Sequence, residues 1–213
     1  ERAKKVIIYE IDLHLKEVLS EVLSEYSNYE LIFEDFMKQD MTEFLNIVGG
    51  KYKVVANLPY YITTPIIFKF LENRQGLESL TIMVQKEVAD RMVAPFNTAN
   101  YGALSCMVNY YGTVKIERKV NRKMFYPIPN VDSAIIQIVF NKKINEEIEK
   151  TFSRLVKSAF AMRRKTFVNN LMSSFNLSRE DAETLLKKAG FDVRVRGEAL
   201  SVDDFIKLAE FMK

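Results

Sequence analysis

The chain has 213 residues, a net charge of +3 and 48% hydrophobic residues, which is enough apolar material for a packed core. Cys106 is the only cysteine and His14 the only histidine, which excludes an internal disulfide and argues against a metal cluster or a Ser-His-Asp triad. No apolar run reaches the ~18 residues of a membrane span, and no signal peptide is visible. We therefore expect a cytoplasmic protein without a membrane segment or a metal site, in which His14 and Cys106 have structural roles.

Strand and helix patterns alternate through the first half of the chain. Apolar runs typical of strands cover residues 5–12, 29–35, 51–57 and 77–85. Helical spacing covers residues 15–26, 64–73 and 86–94, and Pro65 falls near the first turn of the second of these helices. The first helix carries one apolar stripe, formed by Leu15, Val18, Leu19, Val22, Leu23 and Tyr26. The alternation predicts an α/β fold with a mostly parallel sheet that is covered on both faces.

The pattern changes in the second half. Residues 111–120 and 133–140 are strand-like and are joined by the turn MFYPIPNVD, which predicts an antiparallel pair at one edge of the sheet. From about residue 145 helices replace strands. Capping boxes are formed by Ser178 with Asp181 and by Ser201 with Asp204, and Gly190 is placed to end a helix. We predict an α/β domain over residues 1–144 and a small all-helical domain over residues 145–213.

Polar side chains end three of the predicted strands: Glu10, Asp35 and Asn57. Ligands bind at the carboxyl ends of the strands in an open parallel sheet. One acid can accept hydrogen bonds from a ribose diol and the next from an exocyclic amino group, which together suggest a nucleoside-containing cofactor. The alternative is that these acids lie in solvated loops and cap the helices that follow.

The stretch from Asn57 to Tyr60, NLPY, points to chemistry on an amino group. The nitrogen of an adenine amino group is a poor nucleophile, because its lone pair is delocalised into the ring. The Asn57 side-chain oxygen and the Pro59 carbonyl could each accept one N–H and leave the lone pair aimed at an electrophile. Tyr60 could stack on a base that has left its helix. A turn that only terminates the strand is the alternative.

Several longer blocks resemble a known family. NLPYYITTPI is similar to the catalytic motif of adenine amino-group methyltransferases that use S-adenosylmethionine. MVQKEVADRM, YGALSCMVNYY and FYPIPNVDSAII follow in the order and spacing of the ribosomal RNA adenine dimethyltransferase family. AFAMRRKTFVNNL and RGEALSVDDF resemble its small-subunit branch rather than the antibiotic-resistance branch that modifies large-subunit rRNA. The resemblance implies a Rossmann-like methyltransferase sheet and covers nearly the whole chain.

The resemblance also implies roles for particular residues. It assigns the ribose of the cofactor to Glu10, next to Ile11, and the adenine to Asp35, next to Phe36. It assigns the target amino group to a site formed by Asn57, which also borders the cofactor, Leu58, Pro59 and Tyr60. Phe125 matches the aromatic residue that closes over the target base opposite Tyr60; the alternative is a core phenylalanine at a turn.

The chain departs from the family pattern in one respect. The family's glycine-rich loop follows its first strand, yet no G-x-G occurs here, and Gly49-Gly50 precedes the strand that ends at Asn57. The opening ERAKK resembles the end of the helix that follows that loop. We therefore expect the first strand, which lies mid-sheet between the strands ending at Glu10 and Asn57, to be missing from this sequence. We expect this chain to bind the cofactor weakly and to be inactive if the loop is required.

Basic residues flank the predicted site in two clusters. The first lies before Phe125 and contains Lys115, Arg118, Lys119, Arg122 and Lys123; the second contains Arg163, Arg164 and Lys165. Charge runs are usually solvated faces. Here we expect contacts with RNA phosphates, made above all by Lys119, Arg122, Lys123, Arg163, Arg164 and Lys165.

The resemblance implies two successive methyl transfers from S-adenosylmethionine to the N6 amino groups of two adjacent adenosines in small-subunit (16S) rRNA, within a pre-ribosomal particle. Two alternatives remain open. One is a non-catalytic RNA-binding assembly factor of the same fold, which the missing loop favours and the intact NLPY motif disfavours. The other is a resistance methyltransferase acting on large-subunit rRNA, which the tail disfavours.

Overall fold

A computed structural model describes residues 3–213. The strands are β1 (Val6–Glu10), β2 (Tyr29–Phe33), β3 (Tyr52–Asn57), β4 (Leu77–Gln85), β5 (Thr113–Val120) and β6 (Ser133–Val139). The helices of the first half are α1 (Lys16–Leu23), α2 (Met41–Val48), α3 (Tyr60–Glu72), α4 (Lys86–Met92) and α5 (Ala103–Tyr111). The tail contains α6 (Glu146–Ala161), α7 (Phe167–Phe175), α8 (Arg179–Lys188) and α9 (Val202–Phe211). Short 3-10 turns occupy Leu13–Leu15, Arg122–Met124 and Gly197–Ala199.

The strands form two sheets. β1 and β2 pair in parallel, with Glu10 opposite Phe33. The second sheet has the order β3-β4-β6-β5, and β6 is antiparallel to both β4 and β5. The antiparallel pair predicted at one edge is confirmed, but the sheet is mixed rather than mostly parallel. Within residues 3–213, the strands that end at Glu10 and Asn57 each pair with one neighbour, β2 and β4, so no strand joins the two sheets.

The chain divides into two compact units. The amino-terminal unit comprises Glu1–Tyr52 and Glu72–Gly76, and the carboxy-terminal unit comprises Lys53–Leu71 and Leu77–Lys213. The helices of the tail therefore share a unit with β4, β5 and β6. The domain boundary at residue 145 stays a prediction, whereas the all-helical character of residues 145–213 is confirmed.

Three helices differ from the sequence prediction, and one of them, α5 (Ala103–Tyr111), lies where no element was predicted. α2 was not anticipated, although Asp40 caps its first turn and Gly49, with φ 68°, ends it. α3 begins at Tyr60 rather than at residue 64, so Pro65 lies inside the helix and not in its first turn. The turn after Asn57 therefore runs directly into α3. At the amino terminus, residues 3–5 are not helical, and Glu1 and Arg2 lie outside the described residues.

The two units bury their apolar residues differently. The core of the amino-terminal unit contains an aromatic cluster in which Phe44 contacts the rings of Tyr9, Phe36 and Tyr52. α1 buries none of its residues. In the carboxy-terminal unit, α6 buries six residues and its Phe152 stacks on Tyr110 with ring centroids 3.9 Å apart. This unit carries the larger packed core.

The helical tail is stabilised by helix caps and by a close contact between the Gly197 turn and α6. Ser178 caps α8 by accepting from the Asp181 N–H, and Ser201 forms a reciprocal capping box with Asp204 at α9. At Gly197 a Cβ would lie 2.6 Å from the carbonyl oxygen of Ala159 in α6. Only glycine lets the two segments pack this closely. Within residues 3–213, no helix is long and apolar enough to cross a membrane.

Candidate functional site

The turn between β3 and α3 holds the four residues of the NLPY motif. Asn57 is the last residue of β3 and has an exposed side chain, and Tyr60 is the first residue of α3. Leu58 is half-buried and Pro59 is exposed between them. The structure therefore presents these residues together at the carboxyl end of β3, where the sequence placed the target amino site.

The carbonyl groups of this turn are not equivalent. The Pro59 carbonyl accepts hydrogen bonds from the Ile62 N–H (3.1 Å) and the Thr63 hydroxyl (3.3 Å). A carbonyl oxygen has two lone pairs, so both are engaged in starting α3. This corrects the acceptor role predicted for Pro59. The Leu58 carbonyl accepts no hydrogen bond from the residues that the structure describes, which leaves it available beside the Asn57 side chain.

Tyr60 is fixed by its hydroxyl group. The Tyr60 and Ser133 hydroxyl oxygens lie 2.6 Å apart, within hydrogen-bond distance. Ser133 is fully buried and begins β6, where it stands opposite Gln85 of β4 and Val120 of β5. The hydrogen bond therefore ties the first residue of α3 to the middle of the second sheet.

Phe125 lies in the loop between β5 and β6. It is half-buried and directly follows the 3-10 turn Arg122–Met124. The Asp132 carboxylate accepts from the Arg122 N–H (2.9 Å), and the Arg122 guanidinium donates to the Asn130 carbonyl (3.1 Å). These bonds close the loop at its base. Tyr60 and the Phe125 loop are thus anchored to two consecutive residues, Ser133 and Asp132.

The carboxylates predicted to hold a cofactor lie in the amino-terminal unit. Because β1 and β2 are parallel, Glu10 and Asp35 are placed at the same edge of their sheet. One Glu10 oxygen accepts from the N–H groups of Ile11 (2.8 Å) and Asp12 (2.9 Å), and one Asp35 oxygen accepts from the Met37 N–H (2.9 Å). In each carboxylate the backbone fixes one oxygen and leaves the other for a ligand.

The neighbours of these acids differ in their surroundings. Ile11 is 66% exposed, whereas Phe36 is half-buried and packs edge-on against Tyr9, with ring centroids 5.1 Å apart. Ile11 is accessible to a ligand, and Phe36 contributes to the aromatic cluster. Glu10 and Asp35 belong to one unit and the NLPY turn to the other, so each group of predicted site residues lies within its own unit.

Some of the basic side chains are bound to other groups of the protein, and others are exposed without a partner. The Arg163 guanidinium donates to the carbonyl groups of Ala99 (2.5 Å) and Tyr101 (3.2 Å) and lies 3.9 Å from Glu198. The Nη2 group of Arg163 is thus bound to the protein, and the phosphate contact predicted for this residue stays a prediction. Arg164 and Lys165 are exposed and have no side-chain partner among residues 3–213.

The first cluster shows the same division. The Arg122 side chain is engaged with Asn130, and Lys115 pairs with Glu117 at 2.6 Å. Lys119 and Lys123 are exposed, and their side chains make no ion pair with any described residue. Arg118 is also exposed and makes no ion pair with any described residue, so the free cations of this cluster are Arg118, Lys119 and Lys123.

Cys106 and His14 belong to neither group of predicted site residues. The Cys106 thiol is buried and donates to the Tyr101 hydroxyl (2.9 Å), and burial raises the pKa of this thiol to about 12. His14 lies on an exposed 3-10 turn, where its ring is 3.8 Å from Asp12. Among the described residues, no group of three potential metal ligands occurs.

The sequence prediction missed two residues of the site, Asp132 and Ser133. Both follow the prolines of the turn YPIPNVDS and precede a run of buried apolar residues. A buried serine at the start of a strand requires a hydrogen-bond partner, which is the signal that could have identified Ser133. Its partner, Tyr60, could not be read from the sequence.

Comparison with known proteins places the chain in a family. The model of a family described as ribosomal RNA adenine dimethylase matches residues 1–213. Ribosomal RNA small subunit methyltransferase A of Clostridium botulinum (strain Kyoto / Type A2) is 43% identical over 212 residues, covering 99% of this chain and 76% of the relative. The protein of the same name from Bacillus cereus (strain B4264) is 44% identical over 216 residues, covering 98% of this chain and 74% of the relative.

Solved structures agree with this assignment. A dimethyladenosine transferase from Plasmodium falciparum matches with a TM-score of 0.79 and 27% identity, covering 97% of this chain and 81% of that chain. The 23S rRNA methyltransferase ErmE matches with a TM-score of 0.71 and 26% identity, covering 99% of this chain and 82% of that chain. The predicted fold class, a Rossmann-like methyltransferase sheet with a helical tail, is confirmed. The chain belongs to the ribosomal RNA adenine dimethylase family.

Proposed function

We propose that this protein transfers methyl groups from S-adenosylmethionine to the N6 amino groups of two adjacent adenosines in small-subunit rRNA. The observation that carries the proposal is the turn after β3, where the Asn57 side chain is exposed and Tyr60 is fixed by Ser133. The small-subunit substrate is supported by the names of the bacterial relatives, of whose length this chain covers 76% and 74%. We place the reaction in the cytoplasm, on a pre-ribosomal particle.

The chain's own residues prepare the target nitrogen. The Asn57 side-chain oxygen accepts one N–H of the adenine amino group, and the Leu58 carbonyl accepts the other in place of the occupied Pro59 carbonyl. Two acceptors at this position favour a pyramidal nitrogen whose lone pair is free to attack. S-adenosylmethionine supplies an electrophilic methyl group when it is bound. No ionisable side chain other than the Tyr60 phenol lies in the turn, so the proton released from nitrogen passes to water.

Two aromatic rings hold the base. The Tyr60 hydroxyl is bonded to Ser133, and the loop that carries Phe125 is closed by the bond from the Arg122 N–H to Asp132, the residue before β6. A base that leaves its helix loses stacking energy, and aromatic side chains restore ~1–3 kcal/mol of it per base. The rings therefore offset the cost of extruding the adenosine.

The nucleoside half of the cofactor fits the amino-terminal unit. Glu10 and Asp35 each have one oxygen fixed by backbone N–H groups, and the second oxygen is suited to a ribose hydroxyl or an adenine amino group. The 213 residues contain no G-x-G to approach the methionine half. We therefore expect calorimetry on this chain to show weak binding that does not saturate at micromolar cofactor. Glu10→Gln should weaken it further, and micromolar affinity would contradict the expectation.

RNA is held by the cations that have no protein partner among the described residues. Among these cations, we assign the phosphate contacts to Lys119 and Lys123 before Phe125 and to Arg164 and Lys165 before α7. Arg122 adds charge to the first cluster while its side chain fixes the loop. Each contact with a phosphate releases counterions from the RNA, which makes the affinity dependent on salt.

The function is tested by methyl transfer to ribosomal subunits. The full-length protein is incubated with labelled S-adenosylmethionine and with small subunits that lack the modification, and the label is located in the rRNA. Two methyl groups on each of two adjacent adenosines are expected, with none on large subunits. Asn57→Ala is the negative control. Label in large subunits would replace the proposal with its resistance-enzyme alternative, for which the similarity to ErmE is the supporting observation.

The other alternative is a non-catalytic RNA-binding protein of the same fold, which the intact NLPY motif disfavours. It predicts binding to small subunits with no transfer of label. If the full-length protein binds small subunits yet transfers no label at saturating cofactor, this alternative is established.

A further inference from the structure

Ser133 carries a hydroxyl group that its position in the fold does not require. It is fully buried at the start of the inner strand β6, where it pairs with Gln85 and Val120 and precedes the buried Ala134. Alanine would fill the same space without bringing a polar group out of water. Burying an unpaired hydroxyl costs free energy, so the group is retained at a cost unless its hydrogen bond contributes something.

That hydrogen bond is made to Tyr60, 2.6 Å away. Tyr60 is half-buried and could satisfy its own hydroxyl with water, so it does not depend on Ser133 for a partner. What the bond adds is a fixed direction for the ring. A tyrosine hydroxyl lies in the ring plane, so a bond to it holds the ring by its edge and occupies neither face.

We infer that Ser133 is a positioning residue for methyl transfer: its hydroxyl holds the Tyr60 ring at the angle at which one face receives the target adenine. The inference rests on the proposed function. Ser133 does not touch the substrate and acts through Tyr60. The preceding residue, Asp132, closes the Phe125 loop through the Arg122 N–H, so the two hydrogen bonds are accepted or shared by consecutive residues.

The inference is tested by a double-mutant cycle. Ser133→Ala, Tyr60→Phe and the double variant are compared for methyl transfer to small subunits. Each single change removes the same hydrogen bond and should lower kcat by roughly three- to tenfold, with little effect on the KM for RNA. The double variant should be no slower than either single one, because all three variants lack the same bond. Effects that multiply in the double variant would overturn the inference.

A matched control separates positioning from general stability. Ser158 is also a buried serine, and its hydroxyl donates to the Asn170 carbonyl at 3.0 Å in the helical tail. Ser158→Ala should lower the melting temperature about as much as Ser133→Ala while leaving kcat unchanged. If both variants reduce kcat in proportion to their loss of stability, Ser133 has only a structural role.

A second measurement does not depend on turnover. A short RNA with 2-aminopurine at the target adenosine reports stacking through its fluorescence. With the unmodified chain we expect the extruded base to be quenched on Tyr60, and with Ser133→Ala at equal RNA occupancy we expect less quenching. Equal quenching would overturn the inference. If the unmodified chain neither binds this RNA nor methylates small subunits, the proposed function fails and the inference fails with it; normal methylation with an unaffected Ser133→Ala removes the inference alone.

Discussion

The apolar stripes of α1 and α6 have the same helical spacing and opposite surroundings. In the amino-terminal unit, Val18 and Val22 of α1 are 55% and 63% exposed. In the carboxy-terminal unit, Phe152 and Leu155 of α6 are fully buried against neighbouring elements of the unit. Periodicity therefore predicts that a helix forms, whereas burial depends on whether another element covers the stripe.

The same difference separates the roles of the two units. The unit with the larger core carries the NLPY turn, whose Tyr60 is bonded to Ser133, and the Phe125 loop, which is bonded to Asp132. In the proposed mechanism the two rings must be held at fixed angles. The unit with the exposed helix carries carboxylates that the local backbone orients by itself. Fixing the aromatic rings needs contacts between residues that are far apart in sequence. Fixing the two carboxylates needs only the N–H groups of the residues that follow them.

The largest difference between the two units is expected when one side chain of each helix is shortened to alanine. Leu155→Ala in α6 should reduce the free energy of unfolding by ~2–5 kcal/mol, because it leaves a cavity in a closed core. Val22→Ala in α1 should change it by less than ~0.5 kcal/mol, because the side chain is exposed. Urea titrations of the 213-residue chain measure both. A large loss for Val22→Ala would show that the stripe of α1 is covered in solution.

The second prediction tests where the chemistry lies. Asn57→Ala should lower kcat by ~100- to 1000-fold, by analogy with the loss of one oriented hydrogen-bond group in a transition state. RNA affinity should stay the same, since the side chain contacts one amino group. Single-turnover methyl transfer and a filter-binding assay measure the two quantities. An unchanged rate would remove Asn57 from the mechanism.

The third prediction concerns a close approach in the carboxy-terminal unit. Gly197→Ala should cost ~1–3 kcal/mol of stability, because its Cβ would lie 2.6 Å from the Ala159 carbonyl oxygen. Gly102→Ala is the matched control, since its Cβ would meet nothing within 4 Å. Thermal unfolding should therefore distinguish the two. Equal melting temperatures would indicate that the 3-10 turn can move away from α6.

The smallest effect is expected from the basic residues of the tail. Replacing both Arg164 and Lys165 with alanine should reduce the slope of log affinity against log salt by roughly 0.7–0.9 for each phosphate that is no longer neutralised. Arg163→Ala should lower stability instead, because its guanidinium binds two backbone carbonyls. RNA titrations at several salt concentrations, with melting curves, separate the two effects. A reduced slope for Arg163→Ala would support the phosphate contact predicted for this residue.

Local patterns in the sequence predicted most of the fold. β4 spans Leu77–Gln85 as predicted, and the caps at Ser178 and Ser201 form at the predicted residues. α2 was missed although the signals for its ends are present, with Asp40 before it and Gly49 after it. These features depend on residues that are close in sequence, which is why they are readable there.

The errors at the site have another origin. The sequence predicts the Pro59 carbonyl as an acceptor for the target amino group, whereas α3 begins at Tyr60 rather than at residue 64 and uses that carbonyl as a helix acceptor. The roles of Ser133 and Arg163 depend on partners 73 and 62–64 residues away. No pattern of residue types specifies such partners, so they require the three-dimensional structure.

The segment between α4 and α5 bears on how such enzymes can be recombined. It is joined to the tail by the Asn97 N–H bound to the Glu198 carbonyl, by Arg163, and by the Tyr101 hydroxyl bound to the Leu200 carbonyl. A chimaera that takes residues 145–213 from a large-subunit enzyme would put all three connections at risk at once. Exchanges of the tail that also include residues 95–101 are therefore the ones that should yield folded hybrids.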